Sequence, residues 1–124
     1  MTAFDILAFA GLIELTLFVL LLICAPYMLW CDYLAVMALK RQRDGWGLSD
    51  LSKFIGSWIL IRGYFLDFLV NAVHMTVRLR EWPKELTVTL RLRRHIENNT
   101  KHAALCLSIR SNLLDGFDPA GIHR

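Results

Sequence analysis

Basic residues are missing from the first third of the chain. None of the 14 lysines and arginines precedes Lys40, although the 124 residues carry a formal net charge of +3. Cysteine is scarce, with only Cys24, Cys31 and Cys106. Three cysteines are an odd number and give no disulfide framework. The sequence also lacks a phosphate-binding loop, a nucleophile elbow, a dinucleotide fingerprint and internal repeats. We therefore expect no enzymatic activity, no catalytic residue and no cofactor.

Apolar residues are abundant instead. They make up 56% of the chain, compared with about 45–50% in soluble domains. They concentrate in residues 1–39 and 54–77. About 60 residues remain outside these stretches, which is near the lower limit for an independent hydrophobic core. We expect this remainder to depend on a membrane, a partner or other copies of the chain.

The first apolar segment predicts a transmembrane helix. Within residues 4–39 only Asp5, Glu14, Pro26 and Asp32 interrupt the apolar pattern, and the stretch is long enough for the ~20 residues that cross a bilayer. A cleaved signal peptide fits less well, because no basic residue precedes the apolar run and the run is too long. We expect Glu14 to lie near the outer headgroups; the alternative is an intramembrane site.

Basic residues follow this helix directly and predict its orientation. Cytoplasmic loops are enriched in lysine and arginine, so a single pass places the N-terminus outside and the C-terminus in the cytoplasm. The basic residues next to the apolar segments are candidate contacts for anionic headgroups or for a protein partner. These candidates are Lys40, Arg41, Arg43, Arg78, Arg80, Arg91, Arg93 and Arg94.

The second apolar segment, residues 54–77, carries polar residues at helical spacing. Asp67, Asn71 and His74 belong to this polar stripe, which Arg62 misses by one position. An amphipathic helix in the membrane interface fits the pattern, and so does a second spanning helix whose stripe packs against other helices. We favour the interfacial helix, because a hairpin would divide the basic residues between the two sides of the membrane.

The turn and the tail give less consistent patterns. Ser49 or Asp50 is a candidate cap for the second helix. Residues 86–93 alternate like a strand, whereas Pro83 and Glu85 suit the first turn of a helix. We favour helix, because an isolated strand has no neighbour with which to pair. The predicted fold is all-α: a transmembrane helix in 1–43, a loop in 44–53, an amphipathic apolar helix in 54–80 and a basic tail with one or two short helices in 81–124.

A metal ion is not expected, and nucleic acid is a less favoured ligand than lipid or protein. His95, His102, Cys106 and His123 do not form the paired short-spacing motifs typical of zinc sites, so we expect no metal. The basic run of the tail suits lipid headgroups or a protein partner better than nucleic acid, because it flanks an apolar segment.

The tail resembles a group of small membrane-associated proteins of tailed bacteriophages and prophages. The resemblance rests on the Trp-Pro-Lys-Glu sequence of residues 82–85, the Arg-Leu-Arg-Arg-His sequence of 91–95 and the Leu-Leu-Asp-Gly-Phe-Asp-Pro-Ala-Gly-Ile-His sequence of 113–123. It covers about a third of the chain. Many of the similar proteins end in cysteine where this chain has Arg124. The group has no assigned activity, so the resemblance implies only a bacterial host and a membrane context.

These observations favour a non-enzymatic membrane protein of the bacterial inner membrane that acts by binding a membrane or envelope component. Another membrane protein or a second copy of the chain is the expected partner. One alternative is a small structural subunit of a larger membrane complex or virion. A further alternative is a membrane-tethered nucleic-acid binder that uses residues 78–94.

Overall fold

The computed structural model describes residues 1–118 and 121, and in this part of the chain the regular structure is helical, without a strand. The α-helices are α1 (Ala3–Gly45), α2 (Asp50–Val70), α3 (Thr76–Leu79), α4 (Val88–Glu97) and α5 (Ala103–Leu113). A π-helical turn, Asn71–Met75, joins α2 to α3, and a 3-10 turn, Asp115–Phe117, follows α5. The prediction of an all-α fold with a long apolar helix at the N-terminus is confirmed. The candidate metal ligand His123 lies outside the described residues.

Helix α1 continues without interruption through both apolar and basic sequence. Thr2 begins it, because the Thr2 hydroxyl accepts from the backbone N–H of Asp5 and the Asp5 carboxylate accepts from the backbone N–H of Thr2 at 2.7 Å. Pro26 lies inside the helix and does not end it. At about 1.5 Å per residue, the 43 residues span roughly 65 Å, which is about twice the hydrocarbon core of a bilayer.

Helix α2 turns back along the second half of α1. It begins at Asp50, four residues before the predicted position, because the Ser49 hydroxyl accepts from the backbone N–H of Ser52 at 3.2 Å. The connection is therefore a short turn, and the two helices form an antiparallel hairpin. The contacts follow in order from the turn: Gly56 lies beside Leu39, Gly63 beside Asp32, and Leu66 and Val70 beside Ala25.

The tail folds into two short helices. The expected helix start at Pro83 is wrong, because α4 begins at Val88. Thr87 caps it through the backbone N–H of Leu90, and the Asp67 carboxylate accepts from the backbone N–H of Val88 at 2.7 Å. The side chain of Asp67 in α2 therefore accepts a hydrogen bond from the first backbone N–H of α4, which has no partner within its own helix. Most of residues 86–93, whose alternating pattern also suits a strand, therefore belong to a helix.

A small core joins the tail to the end of the second apolar segment. Its buried residues come from the π-helical turn, α3, α4 and α5: Met75, Leu79, Leu92 and Cys106. The other end of the tail contacts the middle of α1. The Trp30 indole donates to the Leu113 carbonyl at 3.1 Å, and the Tyr33 hydroxyl donates to the Leu114 carbonyl at 2.8 Å. The tail therefore lies beside α1 from about Ala25 onward.

Candidate functional site

The first half of α1 is exposed except at Leu21 and Leu22, which are partly buried. All of residues 1–20 are exposed, and no residue is buried in the most apolar 18-residue window of the helix. Two helical segments of the chain, Ala3–Gly45 and Asp50–Leu79, are long and apolar enough to cross a membrane. Their length and composition indicate membrane association. A soluble core helix would bury much of its apolar surface, whereas the apolar residues of 1–20 are all exposed.

An ion pair lies between the two helices of the hairpin. The Arg62 guanidinium donates to both carboxylate oxygens of Asp32, at 3.0 Å from Nε and 2.5 Å from Nη2. Asp32 is 2% exposed, whereas the side chain of Arg62 is 58% exposed. The bidentate geometry satisfies a carboxylate that would otherwise be buried without a partner. It also fixes the register of α2 against α1.

A second polar cluster holds the tail on the π-helical turn. The guanidinium of Arg91 is completely buried, and its Nη1 donates to the Asn71 carbonyl at 2.9 Å. Its Nη2 donates to the Glu81 carbonyl at 2.6 Å, and its Nε lies 3.5 Å from the Glu81 carboxylate. Asn71 in turn donates from its side-chain amide to the Glu85 carbonyl. A π-helical turn leaves carbonyl groups without their usual helical partners, and Arg91 supplies one such partner.

Glu81 is the anionic centre of this cluster. Its carboxylate contacts the guanidinium of Arg94 at 2.5 Å and Nε2 of His95 at 2.8 Å. Partial burial would raise the pKa of the Glu81 carboxyl, but hydrogen bonds from Arg94 and His95 and their charges outweigh it and lower the pKa to about 2. A hydrogen bond to Glu85 raises the pKa of Arg94. Glu81 and Arg94 therefore both stay charged at neutral pH.

The residues of the predicted polar stripe have different surroundings. Asp67 caps α4 and Asn71 binds the tail, so both connect the second apolar segment to the tail. His74 is partly buried, and its Nδ1 has no hydrogen-bond partner among the described residues. Gly56 and Gly63, on the same helix as Asp67, lie against α1. The stripe is thus a packing surface for other parts of the chain.

The predicted basic contacts fall into two groups. Arg91 is buried and Arg94 is paired with Glu81 and Glu85, so both act inside the fold rather than on the surface. Arg93 is partly buried. The remaining candidates are at least partly exposed, near the turn of the hairpin or at the end of α3: Lys40, Arg41, Arg43, Arg78 and Arg80. The exposed candidates therefore lie at two places, the hairpin turn and the end of α3.

His95, His102 and Cys106, considered above as metal ligands, make contacts within the folded tail. The two ring nitrogens of His95 form hydrogen bonds: Nδ1 lies 2.6 Å from the Thr100 hydroxyl, and Nε2 contacts the Glu81 carboxylate. Its ring meets that of His102 edge to face, with 5.5 Å between centroids. Cys106 is buried in the tail core, and burial raises the pKa of its thiol. Within residues 1–118 and 121, no three histidine, cysteine or carboxylate side chains are grouped to hold a metal ion.

Sequence reasoning missed the two charge pairings that organise the chain. In the sequence, Asp32 is only an interruption of the first apolar segment, and Arg62 only misses the polar stripe of the second by one position. Their opposite charges are a signal that the segments form a hairpin, because an antiparallel pair joined by a short turn brings these positions together. Glu81 gave no comparable signal, since its partners are brought to it only by the folding of the tail.

Comparison with known proteins does not extend this description. No protein family, curated protein or solved structure matches the chain.

Proposed function

We propose that the chain is a non-enzymatic membrane protein of the phage or prophage type, which acts by binding another component of the membrane or cell envelope. The first half of α1 carries the proposal. It is apolar, exposed throughout residues 1–20 and long enough to enter a bilayer. Transfer of such a surface from water to lipid is strongly favourable, at about 25 cal/mol per Å² of apolar area.

The contacts of the tail support a specific position for the bilayer. From Ala25 onward α1 is covered by α2 and by a tail rich in charged groups, and these groups would be costly in lipid. Residues 4–24 remain, and their 21 residues rise about 31 Å, which matches the ~30 Å hydrocarbon core. This span puts Glu14 at its centre, so the proposal replaces the expected headgroup position of Glu14 with the alternative, an intramembrane site. We place the hairpin and the tail outside the bilayer, on the same side. In this arrangement α2 is not a second span.

The distribution of basic residues supports an orientation. All 14 lysines and arginines follow residue 24, so they lie on one side of the proposed span. The tendency of such residues to remain in the cytoplasm places the hairpin and the tail inside and Thr2 outside. The resemblance of the tail to phage and prophage proteins makes the bacterial inner membrane the expected location.

Alkaline extraction of membranes tests the proposal. Carbonate at high pH removes proteins that are held by charge and leaves integral proteins in the pellet. We expect the full-length chain, expressed alone in a bacterial host, to remain in the pellet and to be released only by detergent. Quantitative recovery in the alkaline supernatant would contradict the proposal.

A structural subunit of a larger membrane complex or virion is a second candidate. It is favoured by the outer face of α2, where large apolar residues are exposed outside the proposed span: Phe54, Trp58, Ile61, Phe65 and Phe68. Native electrophoresis in mild detergent separates the two candidates. A stable high-mass complex with fixed partners supports a subunit, whereas a single protein or small homo-oligomer supports the first proposal. No observation favours nucleic acid, because Arg91 and Arg94 are occupied within the tail.

A further inference from the structure

A groove runs along the hairpin between α1 and α2. Near the turn it has a volume of about 520 Å³, within the usual range for a ligand site. A smaller cavity of about 100 Å³ continues it toward Asp32. Val36, Leu60 and Tyr64 line both parts, so the two form one depression. From Leu29 to Arg43 the groove is about 21 Å long at the rise of a helix.

The groove has an apolar floor and a basic end. Leu39 and Leu60 form its walls, and Gly56 lets Leu39 pack closely against α2, since a Cβ at Gly56 would lie 3.1 Å from Cδ1 of Leu39. Lys40, Arg43 and Lys53 line the end nearest the turn.

The charges at this end are held only by weak local pairs. Lys40 contacts Asp44 at 2.9 Å, and Lys53 contacts Asp50 at 3.4 Å. Arg43 shares Asp44, so four basic residues of this region, with Arg41 included, face two carboxylates. Solvent-exposed pairs of this kind contribute little stability and can exchange partners. The end of the groove therefore has a net positive charge.

We propose that this groove binds an amphipathic helix of a partner protein, with its apolar face on Leu39 and Leu60 and with carboxylates opposite Lys40, Arg43 and Lys53. The inference rests on the proposed function, because it requires the hairpin to lie outside the bilayer. It specifies the partner by its chemistry: an acidic, apolar-faced helix that reaches the same side of the membrane.

Length and position favour a helix over a lipid. A groove of about 21 Å accommodates roughly four helical turns, the length over which apolar residues at i, i+3, i+4 and i+7 anchor a helix in a groove. Val36, in the middle of the groove, lies 12 residues beyond the proposed span, or about 18 Å along α1. The acyl chains of the bilayer end well before that point.

Peptide binding to the full-length protein tests the proposal. The protein is placed in lipid nanodiscs of phosphatidylcholine, and flotation with liposomes first verifies its insertion, so that failure of the anchor is recognised separately. The probe is a fluorescent 14-residue helix with leucines on one face and glutamates beside them; the control peptide has lysines in place of the glutamates. Fluorescence anisotropy gives each Kd. We expect the acidic peptide to bind about tenfold more tightly, as two ion pairs at the rim would supply.

Two matched substitutions locate the binding. Leu60→Trp fills the groove, and Ile61→Trp adds the same side chain at the next position, which does not line the groove. We expect the first to weaken binding of the acidic peptide at least about tenfold and the second to leave it unchanged. Equal binding of the two peptides, or equal effects of the two substitutions, would overturn the proposal. Loss of binding in discs of phosphatidylglycerol would also overturn it, since a lipid would then occupy the basic end.

Discussion

Residues 3–24 and residues 25–39 of α1 are both mostly apolar but have very different surroundings. Residues 3–24 contact almost nothing in the chain, whereas residues 25–39 pack against α2 and the tail. The second half pairs its buried carboxylate with Arg62, but the carboxylate of Glu14 in the first half is exposed. Apolar composition alone therefore does not distinguish a helix that faces lipid from one that faces protein. The difference lies in whether polar interruptions find partners.

Two double substitutions to lysine test whether the first half of α1 lies in lipid and α2 does not. Leu17→Lys with Leu20→Lys places two charges in the proposed span, at a cost of about 3 kcal/mol for each. Phe54→Lys with Ile61→Lys places two charges on the exposed face of α2. We expect alkaline extraction to release the first variant and to leave the second in the membrane pellet. Release of the second variant to the same extent would mean that α2 also lies in lipid.

Removal of the buried guanidinium should separate the tail from the hairpin. Arg91→Met leaves the backbone carbonyls of Asn71 and Glu81 without the guanidinium that donates to them, and loss of one partner in a buried charged cluster costs about 3–5 kcal/mol. We expect backbone amides of α4 and α5 to exchange hydrogen much faster in this variant, as measured by mass spectrometry in detergent. Exchange in residues 3–24 should not change. Unaltered exchange in the tail would show that Arg91 does not hold it.

Substitutions of Asp32 and Arg62 measure how much this ion pair stabilises the packing of α2 against α1. Arg62→Leu leaves a carboxylate buried without a partner and should lower the free energy of unfolding by roughly 2–3 kcal/mol. The double variant Asp32→Leu with Arg62→Leu removes both charges and should recover most of this loss. Denaturant unfolding in mild micelles measures the cycle. Additive effects of the two substitutions would mean that the pair does not couple the helices.

The smallest expected effect is the pH dependence of the tail. The pKa of Glu81 lies below its ordinary value in the fold, so its contribution to stability is complete above about pH 5 and is lost as the pH falls toward 2. We expect the thermal unfolding temperature of the protein to fall across this interval. Glu81→Gln removes the titrating group, so its curve should be flatter there. Parallel curves for the two proteins would assign the acid sensitivity to other groups.

Much of the fold is predictable from the sequence because it depends on local patterns. The long apolar run gives α1, Ser49 gives the start of α2, and the absence of a partner strand excludes a strand in residues 86–93. The start of α4 at Val88 is less accessible, because Asp67 supplies part of its cap from another helix. The polar cluster of the tail is even harder to predict from the sequence. Arg91 and Arg94 have the charge of surface residues, and only the folded tail shows that carboxylates and carbonyl groups enclose them.

The most direct test of the account is the topology of the full-length chain in intact cells. Single cysteines at Ala3, Trp46 and Asn98, in a background with the three native cysteines replaced by alanine, are exposed to a membrane-impermeant thiol reagent. The account predicts that only the cysteine at position 3 reacts, since one span separates it from the hairpin turn and the tail. Reaction only at position 46 would contradict it, because both helices of the hairpin would then cross the membrane.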